Sequence, residues 1–131
     1  MVNVVHHIEL WTCHVESAAA SFDWLLSLVG WTAKRDPGWP TGRTWQHPSG
    51  VYIVLEQSPD VTGVHERTRA GLNHLALRVG DREKLDALRE QCAEHGWTEL
   101  FADRYPHAGG PRHTALFIEN TEGFEIELVA D

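Results

Sequence analysis

The sequence predicts an α+β chain made of two consecutive βαβββ modules, and three internal matches carry that expectation. His7-Ile8-Glu9-Leu10 matches His74-Leu75-Ala76-Leu77, Gly30-Trp31-Thr32 matches Gly96-Trp97-Thr98, and Val54-Leu55-Glu56 matches Glu125-Ile126-Glu127. The offsets are 67, 66 and 71 residues, so the halves drift only as loop insertions would make them. Such self-similarity is read first because it settles architecture before any single element is assigned. One domain is expected, with a first module over residues 1–57, a linker over 58–71 and a second module over 72–131.

Each module supports the same order of elements. Residues 4–11 alternate, with Val4, Ile8 and Leu10 on one side and Val5, His7, Glu9 and Trp11 on the other, as a half-buried strand requires. Ala19, Phe22, Leu26 and Val29 then recur at helical spacing, and Gly30 stands where a left-handed cap is expected. Strands follow near 31–34, 43–47 and 51–57. In the second module, 72–79 alternate, Asp81 caps a helix carrying Leu85, Leu88 and Cys92, Gly96 ends it, and strands follow near 98–102, 113–118 and 124–129. The segment between the modules, rich in Pro, Gly, Thr and charge, reads as a connector.

Composition excludes several classes of function. The 131 residues carry 19 acidic and 11 basic side chains, a formal charge of -8, whereas a nucleic-acid binder needs a basic stripe to displace phosphate counterions. The apolar run over residues 24–31 is interrupted by Ser27 and Gly30 and is shorter than the roughly 20 residues that span a bilayer. No leader is read in the amino-terminal residues. Cys13 and Cys92 form no CxxC pair and read as reduced cysteines, so a cytoplasmic protein with neither nucleic-acid nor membrane partners is expected.

Strand alternation selects a candidate metal site. His7 and His74 lie on the polar side of the opening strands, and Glu56 and Glu127 on the side of the closing strands turned away from Leu55 and Ile126. A lone His or Glu in a strand is most often structural. Here the same residue types recur at matching places, so two imidazoles and two carboxylates related by the repeat are expected to bind a divalent ion. That donor set suits nickel, zinc, iron, manganese or cobalt. Four protein ligands would leave an octahedral ion two positions for water or two oxygens of a substrate.

The opening Val-His-His-Ile-Glu-Leu, the second opening Gly-Leu-Asn-His-Leu-Ala-Leu and the closing Glu-Gly-Phe-Glu-Ile-Glu-Leu resemble the vicinal-oxygen-chelate superfamily over nearly the whole chain. That superfamily includes glyoxalase I, extradiol dioxygenases, fosfomycin-resistance transferases, methylmalonyl-CoA epimerase and bleomycin-resistance proteins. The resemblance implies a cupped mixed sheet with the helices outside, and the same four metal ligands, His7, Glu56, His74 and Glu127. It further implies a lyase, isomerase or epimerase whose small substrate chelates the metal through two adjacent oxygens, with Glu56 or Glu127 moving the proton. Two alternatives come with it. An extradiol-type dioxygenase would use His7, His74 and Glu127 with Glu56 only structural, and a bleomycin-resistance type of protein would bind an antibiotic without catalysis. Gln57-Ser58-Pro59 departs from the Tyr-Asn-Trp-Gly run of bacterial glyoxalase I, and Glu125 adds a second acid beside Glu127, so glutathione dependence is not implied. The chain looks most similar to small glyoxalase-like members that share its Trp-Leu-Leu segment and Pro-His-Ala-Gly-Gly loop.

Further residues are expected around the cup. Glu9, Trp11 and Arg78 point into it, with Arg78 able to pair with Glu9 or a substrate carboxylate. Tyr105, His107 and His113 bracket Gly109-Gly110-Pro111, a turn able to cover the site, with His107 or Tyr105 as an acid or base. A homodimer is expected, because isologous pairing would cover open sheet edges. The site would lie within one chain or be shared between two.

Overall fold

A computed structural model describes residues 3–131, so Met1 and Val2 of the amino-terminal segment lie outside it. The chain divides into two units, the first ending at Val64 and the second beginning at His65. Residues 58–71 are thus shared between the units.

The first unit runs β1 (His7–Trp11), α1 (Val15–Leu28), β2 (Thr32–Lys34), β3 (Gly42–Gln46) and β4 (Tyr52–Glu56). Its sheet has the order β1-β4-β3-β2, with β1 parallel to β4 and the other pairs antiparallel. The opening strand is shorter than the alternation suggested, because Val4 and Val5 are exposed and unpaired with the sheet. Phe22, Leu25 and Leu26 of α1 are buried with Trp45, Ile53 and Leu55 of the sheet. Burial of each such side chain is worth about 2 kcal/mol relative to exposure. The helix begins where Gln57 Oε1 accepts the Val15 amide at 3.0 Å, and stops at Gly30, whose φ of +98° is open to glycine.

The second unit runs β5 (Leu75–Gly80), α2 (Arg82–Gln91), a 3-10 turn (Cys92–His95), β6 (Trp97–Leu100), a second 3-10 turn (Ala102–Arg104), β7 (Thr114–Asn120) and β8 (Glu125–Ala130). Its order β5-β8-β7-β6 repeats that of the first sheet, again with one parallel pair, β5 with β8. Asp81 caps α2 by accepting the Lys84 amide at 2.9 Å, and Gly96 ends the following turn at φ +88°. Leu85 and Leu88 pack with Ile118, Ile126 and Leu128 in the buried layer. The expected α+β class and tandem modules are present as two four-stranded mixed sheets, each with its own helix. No helix among the described residues is long and apolar enough to cross a membrane.

Candidate metal centre

In the second unit β8 turns Ile126 and Leu128 into the buried layer and presents Glu125 and Glu127 on the other face. Glu127 lies between Ala76 of β5 and Phe117 of β7. His74, immediately before β5, brings Nε2 to 3.0 Å from Glu127 Oε1. His113, immediately before β7, hydrogen-bonds through Nε2 to the other oxygen, Oε2. Both carboxylate oxygens are therefore engaged by imidazoles, and Phe117 closes the cluster edge-on against the His74 ring at 5.9 Å.

Behind His74 lies a second set of contacts. Its Nδ1 is 2.7 Å from Asn73 Oδ1 and 4.0 Å from Glu125 Oε2. Glu125 is buried, and Arg67 neutralises it through an Nη1 contact of 2.8 Å, with Glu119 3.4 Å from Arg67 Nε. Sequence reasoning missed Arg67 because it lies in the stretch read as a connector. The available signal was Glu125 itself, an acid alternating with core residues that needs a cation when buried.

The first unit arranges its two candidates differently. His7 is exposed at the start of β1, stacked on Tyr52 at 4.8 Å with the rings 4° from parallel, and its Nδ1 is 2.9 Å from that of His6. Glu56 lies at the far end of the strand pair, opposite Trp11 rather than His7. Trp39 Nε1 donates to it at 3.3 Å, with the Trp39 ring lying over Gly42, where a Cβ would stand 2.0 Å from the indole. His74 and Glu127 are brought together; His7 and Glu56 are not.

The register explains the difference. Ile8 pairs with Ile53 and Leu75 with Ile126, so the closing strands correspond at an offset of 73 residues rather than 71. The counterpart of Glu127 is then Val54, opposite Glu9, and the counterpart of Glu56 is Val129, opposite Arg78. The extra length enters between the second and third strands, where Ala33 pairs with Trp45 but Glu99 with Ile118.

The expected surrounding residues divide. His113 and Glu125 join the cluster. Glu9 is held by Trp11 Nε1 at 2.6 Å, and both are exposed on β1. Arg78 is exposed and lies 3.5 Å from Asp131. His107 is exposed, with Nδ1 3.2 Å from the His113 carbonyl. Tyr105 is fastened to α2: its hydroxyl donates to Asp86 at 2.7 Å, and the Arg89 guanidinium sits 4.1 Å from its ring centre. Burial, then the bond to Asp86, pushes its pKa up to about 12, a poor value for an acid or base near neutrality. The loop is instead packed through Gly109, where a Cβ would lie 2.7 Å from His113 Cδ2.

Whether these side chains suit a metal follows from their chemistry. Ligands about 2.1 Å from an ion and at right angles stand about 3 Å apart, the spacing of His74 Nε2 and Glu127 Oε1. That pair therefore fits two neighbouring positions on a divalent ion. Among the described residues no group of three or more His, Cys, Asp or Glu side chains is placed to hold a metal ion.

The paired modules and the imidazole-carboxylate cluster define a class, and comparison with known proteins agrees. Residues 6–117 match the Glyoxalase/Bleomycin resistance protein/Dioxygenase superfamily, and the chain belongs to it. YqjT of Bacillus subtilis is 34% identical over 128 residues, 96% of this chain and 98% of that protein. A glyoxalase candidate from Bacillus halodurans is similar in structure, with a TM-score of 0.89 and 37% identity over 98% of this chain and 96% of that one. Catechol-2,3-dioxygenase of Bacillus subtilis is 32% identical over 81 residues, 62% of this chain but 26% of the larger protein.

Proposed function

We propose that the protein is a divalent-metal-dependent enzyme of the lyase or isomerase type, whose small substrate binds through two adjacent oxygens. The cluster of His74, Glu127 and His113 on the face of the second sheet away from α2 carries this reading. Glu56 stands opposite Trp11, at the other end of the strand pair from His7. His74 and Glu127 would hold the ion. Bound there, the metal would supply Lewis acidity, polarising a substrate carbonyl or acidifying the neighbouring C–H or O–H.

The chain's own groups then divide the work. Glu127, with both oxygens engaged, is a binding carboxylate rather than a free base. His113 holds a proton at Nε2 against Glu127 and is the group placed to exchange it with substrate at this end of the site. Phe117 and Phe101, edge to face at 5.5 Å, provide apolar surface beside the cluster that restricts water. Cys13 and Cys92, neither of them in a disulfide among the described residues, support a reducing, cytoplasmic setting, and a homodimer is the assembly we assign on the open sheet edges.

A second reading is favoured by one observation. A catechol dioxygenase is among the relatives, and non-haem iron oxygenases bind their metal with two histidines and one carboxylate. The test begins with elemental analysis of untagged protein, followed by assays of the metal-loaded chain. Proton exchange on α-hydroxycarbonyl substrates without oxygen uptake supports the first reading. Oxygen uptake with catechols under ferrous loading supports the second. A protein that stays empty with nickel, zinc, manganese, cobalt and ferrous iron, yet binds cationic aromatics, overturns both in favour of a ligand-sequestering role.

A further inference from the structure

A cavity of about 230 Å³ lies in the first unit where β2 begins and β3 ends, lined by Thr32, Lys34, Gln46, His47, Pro48 and Gly50. Thr32 pairs directly with Gln46, and Lys34 stands two residues further along β2, so alternation puts these three side chains on one face of the sheet. His47 begins the turn into β4, which is closed by the Gly50 amide donating to the His47 carbonyl at 2.9 Å. Within that turn the Ser49 amide donates to His47 Nδ1 at 3.1 Å. An amide N–H only donates, so Nδ1 keeps its lone pair and the neutral ring carries its proton on Nε2. The ring is held in place against Trp31, with the ring centres 5.2 Å apart.

The lining is made for a negative charge. It contains no Asp or Glu, although the chain has 19 of them. Among the described residues Lys34 joins no ion pair, and the side chains of Thr32, Lys34 and Gln46 have no hydrogen-bond partner within the chain. An ammonium and an imidazole N–H donate, and a hydroxyl and a carboxamide are able to, so the lining can surround an oxyanion with donors. The formal charge of -8 repels anions at long range, but physiological salt screens charges beyond about 8 Å, and an exposed site then responds to its own lining. Size narrows the ligand: pockets for drug-sized molecules have about 300–1,000 Å³, and this smaller cavity suits a single anionic group.

We propose that this cavity binds the carboxylate or phosphate group of a small molecule, with Lys34 supplying the charge and Thr32, Gln46 and His47 Nε2 the hydrogen bonds. The site uses none of His74, His113 and Glu127, so it stands or falls independently of the metal reading.

The test titrates the full 15N-labelled chain with sodium phosphate and, in a separate series, with sodium acetate, each at fixed ionic strength. The expected result is a saturating change in the amide shifts of Thr32, Lys34, Gln46, His47 and Gly50, and in the ring Nε2 shift of His47. Lys34 and Thr32 are exposed, so Lys34→Gln, Lys34→Arg and Thr32→Val are expected to fold, with amide shifts outside the cavity unchanged. Lys34→Gln is expected to bind about tenfold more weakly, as loss of a charged donor implies. Thr32→Val, which keeps the shape and loses the hydroxyl, is expected to bind about threefold more weakly, and Lys34→Arg to retain binding. Saturation by phosphate alone assigns a phosphate group, by acetate alone a carboxylate, and by both an oxyanion of either kind; each upholds the proposal. Shifts that grow linearly or scatter beyond the cavity, or an affinity unchanged in Lys34→Gln, overturn it.

Discussion

Replacing Glu56 and Glu127 separately by glutamine separates the two ways of aligning the repeat. Because β1 and β4 run parallel with His7 opposite Tyr52 and Trp11 opposite Glu56, four residue steps of strand separate His7 from the level of Glu56. At about 3.3 Å per residue this is about 13 Å, too far for one ion to touch both side chains. The remaining influence of Glu56 is Coulombic. A doubly charged ion and a carboxylate about 13 Å apart in water attract by about 0.6 kcal/mol, and physiological salt, with a screening length of about 8 Å, weakens this further. Glu56→Gln is therefore expected to change cobalt or nickel affinity less than about threefold. Glu127 stands 3.0 Å from His74 Nε2. Losing even an outer partner of a ligand costs about 10- to 100-fold, so Glu127→Gln is expected to cost more than about 100-fold. Calorimetric titration at fixed ionic strength measures both. Equal losses in the two variants would show that Glu56 reaches the ion and would refute the register argument.

Arg67→Met strands the buried Glu125 carboxylate and is expected to cost about 3 kcal/mol of stability in urea unfolding, with Glu125→Gln in the same chain restoring much of it. Tyr105→Phe removes the hydrogen bond to Asp86 and is expected to cost about 1 kcal/mol. In the parent, spectrophotometric titration should show one phenol ionising near pH 12. Its pKa is raised on folding, so its contribution to stability is complete below the ordinary value of 10.0 and is lost as pH rises through about 12. His65 is stacked on Phe124 at 4.4 Å, and burial lowers its pKa from 6.5. Stability from this group is present above 6.5 and lost as pH falls through the lowered value, so His65→Phe should flatten the acid side of a stability profile measured by thermal unfolding.

The architecture was legible because its signals are local. Period-two alternation, helical spacing from Ala19 to Leu26, the Asp81 cap and the glycines at 30 and 96 act within a few residues of chain, and the structure places each element near its expected span. Strand ends were less legible. Val4, Val5 and Leu72 suit a strand by type, but the neighbouring β4 and β8 offer them no pairing partner, and they remain exposed. Tyr105 was misplaced for a similar reason: its polar loop gives no sign that Asp86, Arg82 and Arg89 of α2 will hold it.

The site was legible as a face but not as a set of rungs. Alternation tells which side of a sheet a residue occupies, and a slip of two residues leaves that side unchanged. Aligning Glu56 with Glu127 at 71 residues and pairing Val54 with Glu127 at 73 predict the same face, so no count of apolar and polar positions distinguishes them. Hydrogen-bonded pairing does, because it fixes position along the strand as well as side. The same parity agrees with the expectation for His113, which shares its side of β7 with Ala115 and Phe117, opposite Val129 and Glu127. The consequence is chemical: the rung that carries a carboxylate in the second unit carries Val54 in the first. The two modules, alike in fold, therefore differ at these positions: the second brings an imidazole to a carboxylate, and the first stacks its imidazole on Tyr52.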